Sequence, residues 1–389
     1  MSESTVPFLI DISRLLRKLR KERLPTGIDR VALAYIEQYG PRSRAFVRFG
    51  RFHAILSKRH SQTLFRQLLH NPPDFRCQVL RSVIFAMLDN IRPPGLDGAI
   101  LFNVGHSGLE DRRYADLLRR MNVRPVLKVH DLIPITHPEF CRPGARKKHI
   151  SRMRTVLELA RGIITNSQTT LDALAAFAEA ENMPLPPSIP ALLASHNIRA
   201  VAGDPPSDRP YFVVIGTIEP RKNHLLLLQI WKRLVEQMGD RAPMLVIIGR
   251  VGWECENIMD ILERCELLRG HVHVLSSCVD ADLANWLQHS RALLFPSFAE
   301  GFGLPLVEAL EFGVPVIASN LTVFREIAGD IPDYLDPLDA MGWMGMIVDY
   351  ADPESRARNG QLGRMSGFAA PTWENHFRLV DGLLERVTR

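Results

Sequence analysis

The sequence is short of several things, and each shortage removes a class of explanation. Its five cysteines, Cys77, Cys141, Cys255, Cys265 and Cys278, are odd in number and widely spaced over 389 residues. With no C-x-x-C pair among them, neither a disulfide framework nor a thiolate zinc site is expected. No uninterrupted apolar run approaches the roughly 20 residues that a membrane-spanning helix needs. The opening stretch, MSESTVPFLIDISRLLRKLRK, places its apolar residues before its basic ones and lacks a small-residue cleavage site. It does not read as a secretory signal, and a cytoplasmic location is expected. Aromatic residues make up only 7% of the chain and do not interleave with the basic ones, so a nucleic-acid platform is not expected. A G-x-G-x-x-G motif after an early strand is also missing. GFGLPL lacks the third glycine and comes late, which argues against an NAD-dependent Rossmann oxidoreductase.

What remains is an ordinary globular composition, 46% hydrophobic and 23% charged, long enough for two domains that each bury a core. The net charge of +5 conceals an asymmetry: residues 1–195 carry 30 Lys and Arg against 17 Asp and Glu, a balance of +13, and the rest carries −8. A basic first half suits an anionic partner such as a phosphorylated acceptor or an anionic membrane surface. Within it, Ser13 to Leu24 sets Leu15, Leu16 and Leu19 among cations and reads either as a segment lying on such a surface or as a solvated helix face.

Strand-like and helix-like patterns alternate along most of the chain, which predicts doubly wound α/β units. Val6 to Ile12 reads as a first buried strand, and Pro25, Thr26 and Gly27 form a turn before a helix whose N-terminus a ligand could approach over Gly27. Residues 41–98 receive no chemistry. Gly98 to Val104 and Val123 to His130 read as strands, and the second ends in HDLIPITHPEF, with His130 and Asp131 at a strand's carboxyl end, where ligands of such folds bind. Asn166 and Ser167 read as helix caps. Seven prolines fall in 181–210, and a linker is expected over 197–209, between a domain of residues 1–196 and a second of 210–370. Residues 371–389 form a last helix.

The second domain opens with YFVVIGTIEPRKN: a strand to Ile215, a turn at Gly216, then Arg221 and Lys222 just before a helix N-terminus. Cations oppose the helix dipole there, and an anion held between them would remove the cost. Further on, RALLFPSFAEGFGLPLVEALEFGVPVIAS reads as strand, turn, helix, strand, with the backbone of Gly301, Phe302, Gly303 and Leu304 opening the helix, Glu300 before it and Glu308 in its second turn. A backbone cradle for an anion between two carboxylates suits a ligand carrying both phosphates and hydroxyls, as a nucleotide sugar does. Asp280 and Asp282 spell D-x-D but open a helix, and read as caps rather than metal ligands.

The pair Glu300 and Glu308 inside PSFAEGFGLPLVEAL, together with TGIDRV, HDLIPITHPE and GTIEPRKN, resembles the retaining glycosyltransferases of family 4, which have the two-Rossmann-domain GT-B fold. The resemblance implies two doubly wound domains facing across a cleft, with the last helix returning to the first domain. It implies catalytic roles for His130 and Glu300, and a donor bound by Gly27, Gly216, Arg221, Lys222, Gly301, Phe302, Gly303, Leu304 and Glu308. The diphosphate would lie on Arg221 and Lys222, the ribose on Glu308 and the sugar on Glu300 and His130, with no metal and no cofactor. Similarity to bacterial mannosyltransferases of exopolysaccharide or O-antigen assembly implies GDP-mannose as donor and a lipid-linked or polysaccharide acceptor, with peripheral contact to the inner face of the membrane. The alternatives are another enzyme on the same fold, such as an epimerase or phosphorylase, and a non-catalytic nucleotide-sugar-binding protein.

Overall fold

The computed structural model describes residues 7–20, 27–49, 52–70, 79, 96–106, 108–195 and 203–388. Two compact units are present: one of Met1–Leu132, Lys147–Leu193 and Trp373–Arg389, the other of Ile133–Arg146 and Ala194–Thr372. Residues 203–209 of the expected linker thus group with the second unit, and 197–202 lie outside the described residues. The segment 133–146, expected in the first domain, also groups with the second unit.

The first unit is a seven-stranded sheet ordered β3-β2-β1-β4-β5-β6-β7. Its strands are β1 (Phe8–Asp11), β2 (Ser43–Phe49), β3 (Phe52–Ile55), β4 (Ile100–Asn103), β5 (Arg124–Val129), β6 (Gly162–Thr165) and β7 (Ser188–Pro190). All pairings are parallel except β2 with β3. Residues 41–98, unassigned from the sequence, thus contain a hairpin and the helix Lys58–His70; arginines within SRAFVRF obscure its alternation. The last strand, Ser188–Pro190, lies inside the proline-rich stretch 181–210. It ends on Pro190, which an edge position tolerates.

Aromatic rings hold this unit's helices to its sheet. Tyr35 and Tyr39 of the helix Gly27–Tyr39 pack on Phe102 and on Phe377 of the final helix, Trp373–Thr388, at ring separations of 4.8–5.5 Å. Both phenols are paired rather than buried bare: Tyr35 meets His376 Nε2 at 3.0 Å, and Tyr39 donates to Asp381 at 2.9 Å. The cationic segment after β1 forms the helix Ser13–Arg20, but Leu15 and Leu16 are buried in the unit's own core, so those leucines are not available to a bilayer.

The second unit is a six-stranded, wholly parallel sheet ordered β10-β9-β8-β11-β12-β13. The strands are β8 (Tyr211–Ile215), β9 (Met244–Ile248), β10 (Val272–Leu275), β11 (Leu293–Phe295), β12 (Val316–Ser319) and β13 (Asp333–Leu335). Helices cover such a sheet on both faces, which is why its strands read as apolar runs rather than alternations. Phe212 and Val214 face the helix His224–Met238, where Trp231 meets Phe212 edge-on and donates its indole N–H to the Pro243 carbonyl at 2.8 Å. In each sheet the strand order reverses once, between β1 and β4 and between β8 and β11. At such a reversal the loops leave the carboxyl ends in opposite directions and open a crevice for ligand.

Candidate active site

At the reversal in the second sheet, β8 ends at Ile215 and Gly216 turns the chain with φ +146°, where a Cβ would stand 3.2 Å from Cε of Lys222. A side chain there would therefore be strained and would crowd the lysine stem. A 3-10 turn over Pro220–Lys222 follows, and Asn223, in the left-handed region at φ 56°, redirects the chain into the helix His224–Met238. Asn223 does not cap that helix with its side chain; its amide donates to the Pro337 carbonyl at 2.9 Å.

The turn places Arg221 and Lys222 together, and the anion between them is the protein's own Glu300. Its carboxylate receives Arg221 Nη1 at 2.7 Å, Lys222 Nζ at 2.5 Å and the Ser297 hydroxyl at 2.8 Å. Arg221 also donates to Glu219, at 2.7 Å from Nη2 and 3.1 Å from Nε, and to the Ala299 carbonyl. Lys222 Nζ lies 4.8 Å from the centre of the Phe295 ring. Two carboxylates thus balance two cations, with no side chain of the four more than 16% exposed.

Burial raises the cost of each of these charges, and the partners decide how each responds. For Glu300, burial favours the neutral acid, but the charges and hydrogen bonds of Arg221 and Lys222 outweigh it and hold the carboxyl at about 2. Glu219 is raised by burial, because Arg221 and Lys222 offset that only in part and Glu300 repels it. Burial lowers Lys222, with Arg221 adding to the effect and Glu300 opposing it.

The helix Leu304–Glu311 begins beside this cluster. Gly303, at φ +146°, precedes it, and a Cβ there would lie 2.9 Å from the Phe324 ring, so both conformation and space require glycine. Pro305 sits in the first turn, where a missing N–H costs nothing. Phe302 is buried in the unit's core, and Glu308, in the second turn, is 5% exposed. The structure therefore brings Gly216, Arg221, Lys222 and Glu300 together, with Gly301 to Leu304 following in the chain. Sequence reasoning missed Glu219 and Ser297, whose contacts depend on the folded turn. It also missed the contribution of 133–146 to this unit: Phe140 stacks on Phe298 at 4.9 Å and 5°, and the Arg142 guanidinium lies 5.2 Å from the Trp253 ring. Trp253 and Phe298 follow β9 and β11, the two strands that flank β8.

At the reversal in the first sheet, Asp11 ends β1 and accepts the Ser13 N–H at 2.9 Å and the Tyr114 hydroxyl at 2.8 Å. Gly27 is the first residue of the helix Gly27–Tyr39, and Asp29 in its first turn, 1% exposed, is ion-paired to Arg14 at 3.0 Å and to Lys18. A carboxylate there also complements the helix dipole. His130 follows β5 and is 4% exposed. Its Nε2 donates to the Val104 carbonyl at 2.6 Å, and its Nδ1 faces the Asn166 amide at 3.3 Å, so the protein occupies both ring nitrogens. Asn166 is thus a partner of His130 rather than a cap; Ser167 alone caps the following helix.

His106 and His149 complete this group, at 5.0 Å between the His106 and His130 rings and 6.1 Å between those of His106 and His149. His106 Nε2 accepts the His130 backbone N–H at 3.3 Å; His149 Nε2 donates to the Asp131 carbonyl at 3.1 Å while its Nδ1 faces Arg152. Burial first, then nearby Lys128, pushes His130 down to about 3, and burial lowers His106 and His149 as well. All three are neutral imidazoles at pH 7. Among the described residues, no group of three or more His, Cys, Asp or Glu is arranged to hold a metal ion, and no helix is long and apolar enough to cross a membrane. Asp280 and Asp282, expected as caps, lie instead in the first turn of the helix Asp280–Gln288, whose cap position is Val279; there their charge complements the helix dipole.

Residues 199–331 match the family model described as glycosyl transferases group 1. The chain is 34% identical over 165 residues to the O-antigen chain mannosyltransferase B of Escherichia coli, an alignment covering 42% of this chain and 43% of that protein. It is 28% identical over 269 residues to the serotype-specific mannosyltransferase WbdA of Escherichia coli, covering 63% of this chain and 32% of that one. The chain thus spans less than half the length of either relative. Among solved structures, a sucrose-phosphate synthase from Thermosynechococcus elongatus superposes with a TM-score of 0.67 at 16% identity, over 98% of this chain and 99% of that one. Anabaena HepE in complex with UDP superposes with a TM-score of 0.64 at 15% identity, over 98% of this chain and all of that one. The two α/β units, the glycine-opened helix beside the Arg221–Lys222–Glu300 cluster and these matches lead to one assignment: residues 199–331 match the glycosyl transferases group 1, the chain is similar to bacterial mannosyltransferases over part of their length, and its fold is GT-B.

Proposed function

We propose that the protein is a retaining glycosyltransferase that moves mannose from GDP-mannose to a lipid-linked or polysaccharide acceptor in bacterial surface polysaccharide assembly, working at the cytoplasmic face of the membrane. The observation that carries this reading is the buried cluster of Glu219, Arg221, Lys222 and Glu300 beside the helix that Gly303 opens. The names of the mannosyltransferase relatives support the choice of sugar.

In this reading a donor diphosphate competes with Glu300 for Arg221 and Lys222, Arg221 by paired N–H groups and Lys222 as a point charge. The backbone amides of Gly301 to Leu304, at the opening of the helix Leu304–Glu311, take the remaining phosphate oxygens. Glu300, released from the cations, accepts hydroxyls of the sugar, and Glu308 those of the ribose. Charge that develops on the leaving phosphate is met by fixed donors, so no divalent metal is required. The acceptor hydroxyl attacks the face from which the phosphate departs, and its proton passes to the departing oxygen. His130 enters only by exchanging its 3.3 Å contact with Asn166 for a sugar hydroxyl.

The test is turnover with a panel of nucleotide sugars, with and without EDTA, followed by proton NMR of the product's anomeric signal. GDP-mannose should be consumed fastest, chelator should leave the rate unchanged, and an α-donor should give an α-linked product. A β-linked product, or activity that EDTA abolishes and added metal restores, overturns the mechanism. Binding of nucleotide without turnover would instead indicate a non-catalytic nucleotide-sugar-binding protein.

A further inference from the structure

The first unit contains a pocket of about 370 Å³ between the β2–β3 hairpin and the helix Arg112–Arg120, whose lining includes Arg48, Phe52, His53, Arg113, Tyr114 and Arg120. Its floor is Tyr114, 2% exposed, with the Arg48 guanidinium 3.6 Å above the centre of its ring. Arg48 is held from behind, its Nε 3.7 Å from Asp11 Oδ2 and its side chain only 12% exposed. A Cβ on Gly108 would lie 2.1 Å from Arg48 Nη2, so the loop carries no side chain where the guanidinium passes. One wall comes from the hairpin, where His53 stands opposite Arg48 in register. The other comes from the helix, where Arg113 and Arg120, seven residues apart, lie on the same face as Leu117.

Three guanidinium groups and an imidazole meet here against the single lining carboxylate of Asp111, which is already engaged in capping the Arg113 N–H. Converging cations repel one another, and a bound anion removes that cost; guanidinium groups suit phosphate oxygens in paired geometry. On the same rim, the Phe52 ring is 75% exposed on an edge strand. A single exposed aromatic needs no explanation alone, but beside three arginines it supplies the second half of an amphiphile's chemistry. The pocket size falls in the range of small-molecule sites.

We propose that this pocket binds the phosphate or diphosphate ester of an amphiphile, with Arg48, Arg113 and Arg120 on the phosphate and Phe52 against the apolar chain. All of its lining residues belong to the first unit. The glycosyltransferase reading bears only on its use, as the place where the acceptor's phosphate is held.

Calorimetric titration of the full chain decides it, with geranyl diphosphate, inorganic diphosphate and GDP as probes. Geranyl diphosphate should bind the wild type, and its Kd should rise at least tenfold in the exposed-residue variant Arg113→Ala/Arg120→Ala, while GDP's Kd stays within twofold. Phe52→Ala should weaken geranyl diphosphate but not inorganic diphosphate. Sedimentation with phosphatidylglycerol vesicles separates the sources: vesicle binding that the double variant loses assigns a bilayer phosphodiester, and geranyl diphosphate binding without vesicle binding assigns a single isoprenoid-type diphosphate. Equal geranyl diphosphate affinity in wild type and double variant, or none in the wild type, overturns the site. A Phe52→Ala variant that leaves geranyl diphosphate binding intact overturns the amphiphile assignment. If GDP alone fails to bind, the nucleotide-sugar reading falls and the geranyl diphosphate result still stands.

Discussion

The ligand ends of the two sheets handle buried charge in opposite ways. In the second unit, Glu219, Arg221, Lys222 and Glu300 keep their charges in a closed set of ion pairs, and Glu300 is held at about 2. Behind the corresponding end of the first sheet, burial leaves His106, His130 and His149 neutral and lowers Lys128 on β5 to about 7, its Nζ having no hydrogen-bond partner among the described residues. One scaffold thus supplies a site where fixed charges can be exchanged for those of a ligand, and another where neutral groups offer hydrogen bonds without charge. The difference arises from partners, since both regions are largely withdrawn from water.

The comparison breaks most visibly at Glu300. Glu300→Ala leaves Arg221 and Lys222 with less compensation in a buried place, a loss of about 3–5 kcal/mol of stability by the usual cost of halving a buried pair. It should also lower kcat by roughly 10²–10³-fold, the scale of losing a fixed group at the reacting centre. Urea unfolding and donor kinetics measure the two; a variant with wild-type values in both would remove the cluster from site and fold alike. The pH dependence has a defined sign. A carboxyl held at about 2 against an ordinary 4.5 contributes stability that is complete above about 4.5 and is lost as pH falls toward 2, and Glu300→Gln should lack that window.

Lys128 gives the opposite sign. Its amine, 1% exposed beside His130 and His376, is lowered by burial from 10.5 to about 7, so the folded state is penalised fully below pH 7 and not at all above about 10.5. Lys128→Met should therefore stabilise the protein on the order of 3 kcal/mol at pH 6, and progressively less as pH rises toward 10. Melting curves at pH 6, 8 and 10 show whether the gain shrinks; destabilisation at every pH would mean that the amine has a structural partner.

A smaller effect sharpens the role of backbone in the second unit. Gly303→Ala places a side chain at φ +146° and 2.9 Å from Phe324, which should cost about 1–3 kcal/mol of stability and weaken nucleotide binding with it. Unfolding and GDP titration of one preparation test both, and an unstrained variant with tighter binding would contradict the geometry. The smallest effect belongs to Glu308→Gln, in which an amide can still hydrogen-bond a ribose. Donor KM should rise about fivefold, near 1 kcal/mol, with kcat within twofold. A large fall in kcat would put Glu308 at the reacting sugar instead.

Much of this was legible in sequence because it is local. The apolar runs at Tyr211–Ile215 and Leu293–Phe295, the glycines of GFG and the Arg-Lys pair ahead of a helix each carry their meaning within a few residues. The rest is long-range. Lys128 sits in the strand RPVLKV, and its burial follows only from the place of β5 inside the sheet, covered on both faces. Asn166 looks like a cap and instead reaches His130, 36 residues away. Leu15 and Leu16 look available to a membrane until the core closes over them.

Outside residues 41–98, the sequence by itself determined most of the strands and helices and which side chains stand at a strand's carboxyl end, because period, glycine and capping chemistry act over a few residues. Only the tertiary structure decided how those side chains are paired. Glu300 became the counter-ion of Arg221 and Lys222, the three histidines became neutral and Lys128 lost its water, because desolvation and charge coupling depend on what lies within a few ångströms in space rather than in the chain.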